Sequence, residues 1–156
     1  MKAKRIVALT LLTCLLMGCQ QADETAKNDQ STVELIQTDD IWGIALSSTD
    51  VSNTGLTLIC SQNGGEITGE LQTGEKYWIE EKVDGKWQEL STPEKPIWQD
   101  LSYTIKMQNL TQWDIQWSDL YGTLPQGEYR IGKEIQDFRG GSDYDEKAYY
   151  AEFVIE

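Results

Sequence analysis

The chain has 156 residues, with 26 acidic and 13 basic side chains, no histidine and a formal net charge of −13. The acidic surplus excludes nucleic acid as a partner, because such binding needs clustered Lys and Arg side chains that displace counterions. The missing histidine excludes Ser-His-Asp and Cys-His catalysis, and it removes the usual ligand of zinc sites.

Residues 1–18 have the pattern of a secretory signal peptide. Basic residues precede an apolar run at residues 6–17, which is too short for a membrane-spanning helix of about 20 residues. The run ends in residues that resemble the bacterial lipobox: Leu16, Met17, Gly18 and Cys19. The resemblance implies that Cys19 receives a diacylglyceryl group, which holds the protein at the outer face of the cell membrane.

Signal cleavage changes the composition of the mature chain. It removes three of the 13 basic side chains and no acid, which leaves a formal charge of −16. Residues 19–32 then form a lipidated cysteine with a polar, flexible tether, and residues 33–156 form one domain. Cys60 is the one cysteine left for the domain, so no intrachain disulfide is expected and a buried thiol is favoured.

The domain sequence predicts an all-β fold. Short segments alternate apolar and polar residues, and Gly, Asn, Asp and Pro separate them. The predicted strands are residues 41–48, 55–61, 66–71 (a short one), 76–83, 86–90, 102–110, 112–117, 128–135 and 149–155. Asp84-Gly85 is a strong hairpin signal, because both turn positions need positive φ. Seven or eight antiparallel strands in roughly 115 residues predict a two-sheet antiparallel β-sandwich.

One late segment resembles a tyrosine corner, in which a Tyr folds its ring into the core and bonds back to the preceding connection. Its residues are Leu124, Pro125, Gly127 and Tyr129.

The wider pattern resembles the bacterial immunoglobulin-like domains of Gram-positive surface proteins. The matching pieces are residues 54–58, 80–87, 117–133 and 151–155. The Leu-Pro-x-Gly-x-Tyr segment is also similar to the bacterial intracellular proteinase inhibitor family, although an export signal fits poorly with an intracellular role. Neither family supplies catalytic residues, and the paired core cysteines of antibody domains are missing. The resemblance implies an immunoglobulin-like β-sandwich that serves as a binding or spacer module.

Trp78 and Trp87 are the candidate ligand-binding residues. A two-residue turn pairs Lys82 with Trp87, which places Trp87 and Trp78 on the outer face, whereas Trp113 and Trp117 are expected to point inward. Exposed aromatic rings stack on sugars or anchor protein partners. The alternative is local packing, either as a cation–π contact under Lys82 or beneath a loop.

The acidic clusters predict neither catalysis nor a metal site. Asp143, Asp145 and Glu146 could offer oxygen ligands to Ca²⁺, but their spacing fails the twelve-residue loop pattern and a solvated hairpin tip is favoured. Four further acids are interpreted as solvated sheet face and loop: Glu80, Glu81, Asp114 and Asp119. No catalytic residue and no cofactor are therefore expected.

The leading hypothesis is a non-enzymatic, lipid-anchored surface module that binds a protein or a cell-wall polysaccharide, or acts as a spacer. The alternative from another class is an extracellular protease inhibitor, whose reactive loop would be residues 90–100 with Pro93 and Pro96. A hydrolase that uses acids alone is disfavoured by the missing histidine and by the fold.

Overall fold

Nine strands and one short helix make up residues 34–156, the part of the chain that this computed structural model describes. In chain order they are β1 (Ile44–Thr49), β2 (Gly55–Gln62), β3 (Glu70–Thr73), β4 (Trp78–Val83), β5 (Lys86–Glu89), β6 (Tyr103–Thr104), β7 (Asn109–Gln116), α1 (Ser118–Tyr121), β8 (Gly127–Gly140) and β9 (Asp143–Ile155). The predicted signal peptide, Cys19 and the tether lie outside the described residues. Within residues 34–156, no helix is long and apolar enough to cross a membrane.

The strands form two antiparallel sheets. The smaller sheet has the order β1-β2-β7, and the larger one has the order β5-β4-β8-β3-β6, with β9 also paired to β8. Strand β8 is 14 residues long, so its first half pairs with β4, its second half with β3, and its other edge with β9. The predicted all-β, two-sheet antiparallel sandwich is confirmed.

The core lies between the sheets in two clusters, because alternate residues of each strand point inward. Trp117 is fully buried, whereas Trp113 is half-buried and packs against both clusters. Cys60 is fully buried, and its burial raises the pKa of the thiol to about 12. The thiol therefore packs as a small apolar group.

The turn at Asp84-Gly85 joins β4 to β5 as the dipeptide predicted. Asp84 has φ 50° and Gly85 has φ 75°. Lys82 lies opposite Trp87 in the resulting hairpin. This register places Trp87 on the same face as the outward-pointing residues of β4.

The prediction of one strand at residues 102–110 and another at 112–117 was wrong. Strand β6 has two residues, and β7 runs from Asn109 to Gln116. Gln108 separates them with φ 50°, and its N–H donates to the buried Gln62 side chain at 2.5 Å. The turn depends on a residue far away in the sequence, so the local alternation could not show it.

The start of β3 was also predicted too early, at residue 66 instead of Glu70. The buried Asp137 carboxylate accepts hydrogen bonds from the backbone N–H groups of Thr68 (2.8 Å) and Gly69 (2.6 Å). These donors are therefore unavailable to a strand ladder. Pairing of β3 begins directly after them.

The first strand begins at Ile44, three residues later than predicted, because a carboxylate holds the preceding turn. Asp40 accepts hydrogen bonds from the N–H groups of Trp42 (2.9 Å) and Ile44 (3.2 Å). The Tyr149 hydroxyl donates to the same carboxylate oxygen at 2.9 Å. Burial raises the pKa of Asp40, but these hydrogen bonds outweigh it and hold that pKa below its ordinary value.

Candidate functional site

Trp78 and Trp87 lie on the outer face of the larger sheet, and each is half-buried. Ile79 follows Trp78 in β4, points into the core and is fully buried. This alternation confirms that Trp78 points to the outer face. The Lys82 ammonium stands 5.4 Å from the Trp87 ring centroid. The two tryptophans therefore share a surface with charged side chains.

Arg130 of β8 is the centre of this surface. Its guanidinium carbon lies 4.8 Å from the Trp87 ring centroid and 4.0 Å from the Tyr150 ring centroid. Its Nε donates a hydrogen bond to Glu80 at 2.7 Å. Both rings are thus attracted to one cation whose position is fixed by a carboxylate.

Trp78 is held on the same surface by three contacts. Its ring meets Tyr150 edge-on, with centroids 5.7 Å apart and an interplanar angle of 86°. Its indole N–H donates to Glu80 at 3.1 Å. The ring covers Gly132, where an added Cβ would lie 2.2 Å from an indole carbon. We call Trp78, Trp87, Tyr150, Arg130 and Glu80 the aromatic patch.

The charges of the aromatic patch are paired within it, so the patch presents rings to solvent. The interpretation of Glu80 as a solvated side chain was wrong, since it is 8% exposed. Tyr150 is 37% exposed. Burying Glu80 without a partner would be costly, and the Arg130 ion pair compensates for it. The patch carries no activated nucleophile, and its chemistry is stacking and hydrogen bonding.

Sequence reasoning missed Tyr150, Arg130 and Gly132 as members of this surface. They lie on β8 and β9, and only the sheet register brings Trp78 opposite Gly132 and Gly132 opposite Tyr150. The available signal was the alternation of β9, which points Tyr150 away from the core side that holds Ala151.

In the tyrosine-corner segment, the Tyr129 side chain lies in the core, whereas Pro125 is exposed and Gly127 is half-buried. Tyr129 is 1% exposed, and its hydroxyl donates to the Pro125 carbonyl at 3.0 Å. Its ring stacks on Phe153 with centroids 5.6 Å apart and closes over Gly127. Leu124 is also buried. These contacts fix the path of the chain into β8.

The acids near the hairpin tip are engaged by neighbouring side chains. Arg139 forms ion pairs with Asp143 (2.8 Å) and Asp145 (2.9 Å). Glu146 accepts a hydrogen bond from Gln136 at 2.7 Å. Among the residues that the structure describes, no group of three or more Cys, Asp or Glu side chains is arranged to hold a metal ion.

The segment at residues 90–100 crosses the surface without a strand and is attached at both ends. The Leu90 N–H donates to the Ile79 carbonyl at 2.8 Å, and Trp98 packs edge-on against Tyr77 at 5.2 Å. Ile97, between these anchors, is 96% exposed. The segment therefore presents one large apolar side chain to solvent.

A two-sheet β-sandwich that lacks a core disulfide and turns into β8 through a buried tyrosine is an immunoglobulin-like module. The chain belongs to the bacterial Ig-like domain family, whose model matches residues 23–154. The match begins upstream of residue 33, where the sequence placed the start of the domain. No curated protein and no solved structure shows significant similarity to the chain. Family membership indicates a non-enzymatic binding or spacer module.

Proposed function

We propose that the protein is a lipid-anchored, extracytoplasmic module whose aromatic patch binds a protein or a cell-wall polysaccharide. The observation that carries the proposal is the placement of Trp78, Trp87 and Tyr150 on an outer sheet face instead of in the core. Arg130 stands against the Trp87 and Tyr150 rings, and Trp78 meets Tyr150 edge-on. Trp, Tyr and Arg are the side chains that contribute most to binding energy at protein interfaces. Aromatic rings also stack on sugar rings.

The aromatic patch is preorganised for binding. Glu80 fixes Arg130 and Trp78 by hydrogen bonds, and Gly132 supplies the flat surface on which Trp78 rests. Side chains that are ordered before a ligand arrives lose little rotamer entropy when it binds. A spacer would not require such an arrangement on its outer face.

The N-terminal pattern supports anchoring at the cell surface. A diacylglyceryl group on Cys19 supplies two acyl chains, each methylene contributing about 0.8 kcal/mol of membrane affinity. The acidic mature chain disfavours adhesion of the domain to anionic lipid. A polar tether at residues 19–32 therefore suits a domain held away from the membrane surface.

The test is affinity capture by the full chain in detergent micelles, with intact cells, purified wall polysaccharide and secreted proteins as baits. The Trp78→Ala/Trp87→Ala variant should lose capture about tenfold or more, because two anchors are removed. Tyr144→Ala is the matched control, since Tyr144 is an exposed ring near the tip of the β8–β9 hairpin, six residues before Tyr150 along β9. Thermal midpoints must show that all variants are folded.

Equal capture by the double variant would exclude the aromatic patch as the binding site, and no capture by the unmodified protein would favour a spacer.

A protease inhibitor is the second candidate function, favoured by the exposure of Ile97 between two anchored ends. Stoichiometric loss of a secreted protease's activity that disappears in Ile97→Asp would establish that function instead.

A further inference from the structure

A cleft of about 300 Å³ opens beside β7, one of the two edge strands of the smaller sheet. Its walls come from β7, from β8, from the residues just before β4, and from β6 with the segment that precedes it. The residues that matter here are Glu75, Tyr77, Trp98, Tyr103, Trp113 and Lys133. The cleft is separate from the aromatic patch, because Tyr77 and Trp78 are successive residues on opposite sides of the sheet.

The walls of the cleft are aromatic. Trp113 projects from β7, and Trp98 approaches from the segment before β6. Trp98 is held by its edge-on contact with Tyr77, at 5.2 Å and 62°. Tyr103 is 37% exposed. A volume of this size lies at the lower end of small-molecule sites, which span roughly 300–1,000 Å³.

Polar groups of both signs complete the cleft. Lys133 is 3% exposed, and its ammonium donates to the Gly74 carbonyl at 2.6 Å. The same ammonium stands 5.3 Å from the Trp113 ring centroid. The Glu75 carboxylate accepts a hydrogen bond from the Gln99 N–H at 3.1 Å.

These groups restrict the charge of a ligand. An anion would meet Glu75 and Asp114 in a strongly acidic domain. An organic cation would be repelled by the Lys133 ammonium, which already lies over the Trp113 ring and makes the cation–π contact there. A purely apolar ligand would strip water from the Glu75 carboxylate without replacing its hydrogen bonds.

We propose that this cleft binds a short segment of a neutral saccharide. The apolar face of a sugar ring stacks on Trp98 or Trp113, and its hydroxyl groups donate to the Glu75 carboxylate. The Tyr103 hydroxyl lies 3.5 Å from Glu75 and supplies a further donor and acceptor. The site does not depend on the aromatic patch.

The test is titration of the full chain, in a detergent that contains no sugar, with cellotetraose, chitotetraose, maltotetraose and mannotetraose. Tryptophan fluorescence and titration calorimetry should show saturable binding of at least one of them. Trp98→Ala should weaken that binding roughly tenfold through the lost stacking. Glu75→Gln and Tyr103→Ala, which alter exposed or half-exposed groups, should also weaken it.

Tyr144→Ala is the matched control, since Tyr144 is an exposed ring outside both the cleft and the aromatic patch, and it should leave saccharide affinity unchanged. Trp78→Ala is titrated beside it to report on the aromatic patch. The proposal would be overturned by the absence of saturable binding up to about 10 mM of any tetrasaccharide, or by binding that all three cleft variants leave unchanged. It would also be overturned if choline or tetragalacturonate, in place of neutral sugars, bound in a Trp98-dependent way. A fourth contrary result is binding that is lost in Trp78→Ala and kept in Trp98→Ala. The last result would support the aromatic patch as the binding site, so failure of the cleft and failure of the patch are distinguishable.

Discussion

At the residue scale, Asp137 shows how one buried carboxylate determines where a strand begins. It is 1% exposed, and it accepts hydrogen bonds from the Thr68 N–H, the Thr68 hydroxyl and the Gly69 N–H. Burial raises the pKa of Asp137, but these hydrogen bonds and the Arg139 charge outweigh it and hold that pKa below 3.8. The ionised carboxylate is therefore the form that the fold requires.

Asp137→Asn should lower the free energy of unfolding by about 2 kcal/mol at pH 7, because charge-assisted hydrogen bonds are replaced by weaker neutral ones. The folded-state pKa lies below the unfolded-state pKa, so the stabilisation is present above pH 3.8 and is lost as pH falls through the folded-state value. Urea titrations of both proteins from pH 7 to pH 2 should show the difference shrinking below about pH 4.

Asp100→Asn is the control for these urea titrations, because the Asp100 side chain is exposed. It should change the free energy of unfolding by less than about 0.5 kcal/mol. A difference between wild type and Asp137→Asn that stays constant down to pH 2 would show that the Asp137 charge does not stabilise the fold.

At the element scale, β8 connects the core to the candidate binding surface. Its inward residue Ile131 is fully buried between the sheets, while Arg130 and Gly132 on either side face the aromatic patch. Gly132 lies between Trp78 of β4 and Tyr150 of β9. A glycine inside a strand lacks a packing side chain, and here the Trp78 ring fills that place.

Gly132→Ala should displace the Trp78 ring, because the new Cβ would stand 2.2 Å from an indole carbon. We expect a loss of about 1–3 kcal/mol in stability. Near-ultraviolet circular dichroism and chemical denaturation measure the two effects. Gly74→Ala is the matched control, since its nearest contact would be an ordinary 3.5 Å. An unchanged tryptophan signal in Gly132→Ala would contradict the packing of Trp78 on this glycine.

At the scale of the whole molecule, charge and anchoring act together. The formal charge of −13 for the full chain favours a soluble, self-repelling domain. The proposed membrane attachment depends on the N-terminal segment, which lies outside the described residues. The location of the protein is therefore a prediction of the lipobox pattern alone.

Cys19→Ala should move the protein from the membrane fraction to the soluble fraction, because the two acyl chains are lost. Cell fractionation followed by immunodetection measures the change. Cys14→Ala, a cysteine substitution within the apolar run, should leave the protein in the membrane fraction. If Cys19→Ala stays in the membrane fraction, the lipobox interpretation is wrong.

The sequence by itself determined the fold class, the β4–β5 hairpin and the family resemblance. Period-two alternation reports which residues point inward, and Asp84-Gly85 reports a turn, because both are local properties of the backbone. Because alternation and the turn are both local, the sequence also indicated that Trp78 and Trp87 lie on one face. It misjudged strand ends wherever a distant side chain, such as Gln62 or Asp137, binds the backbone of a turn.

The tertiary structure alone decided which residues meet across strands. Alternation indicates that Arg130 and Tyr150 face outward, but only the register of β8 with β4 and β9 brings them to Trp87 and Trp78. The saccharide cleft likewise needs both sheets, since Trp113 and Lys133 come from strands in different sheets. Such pairings depend on contacts between residues distant in sequence, which the local pattern of the chain does not encode.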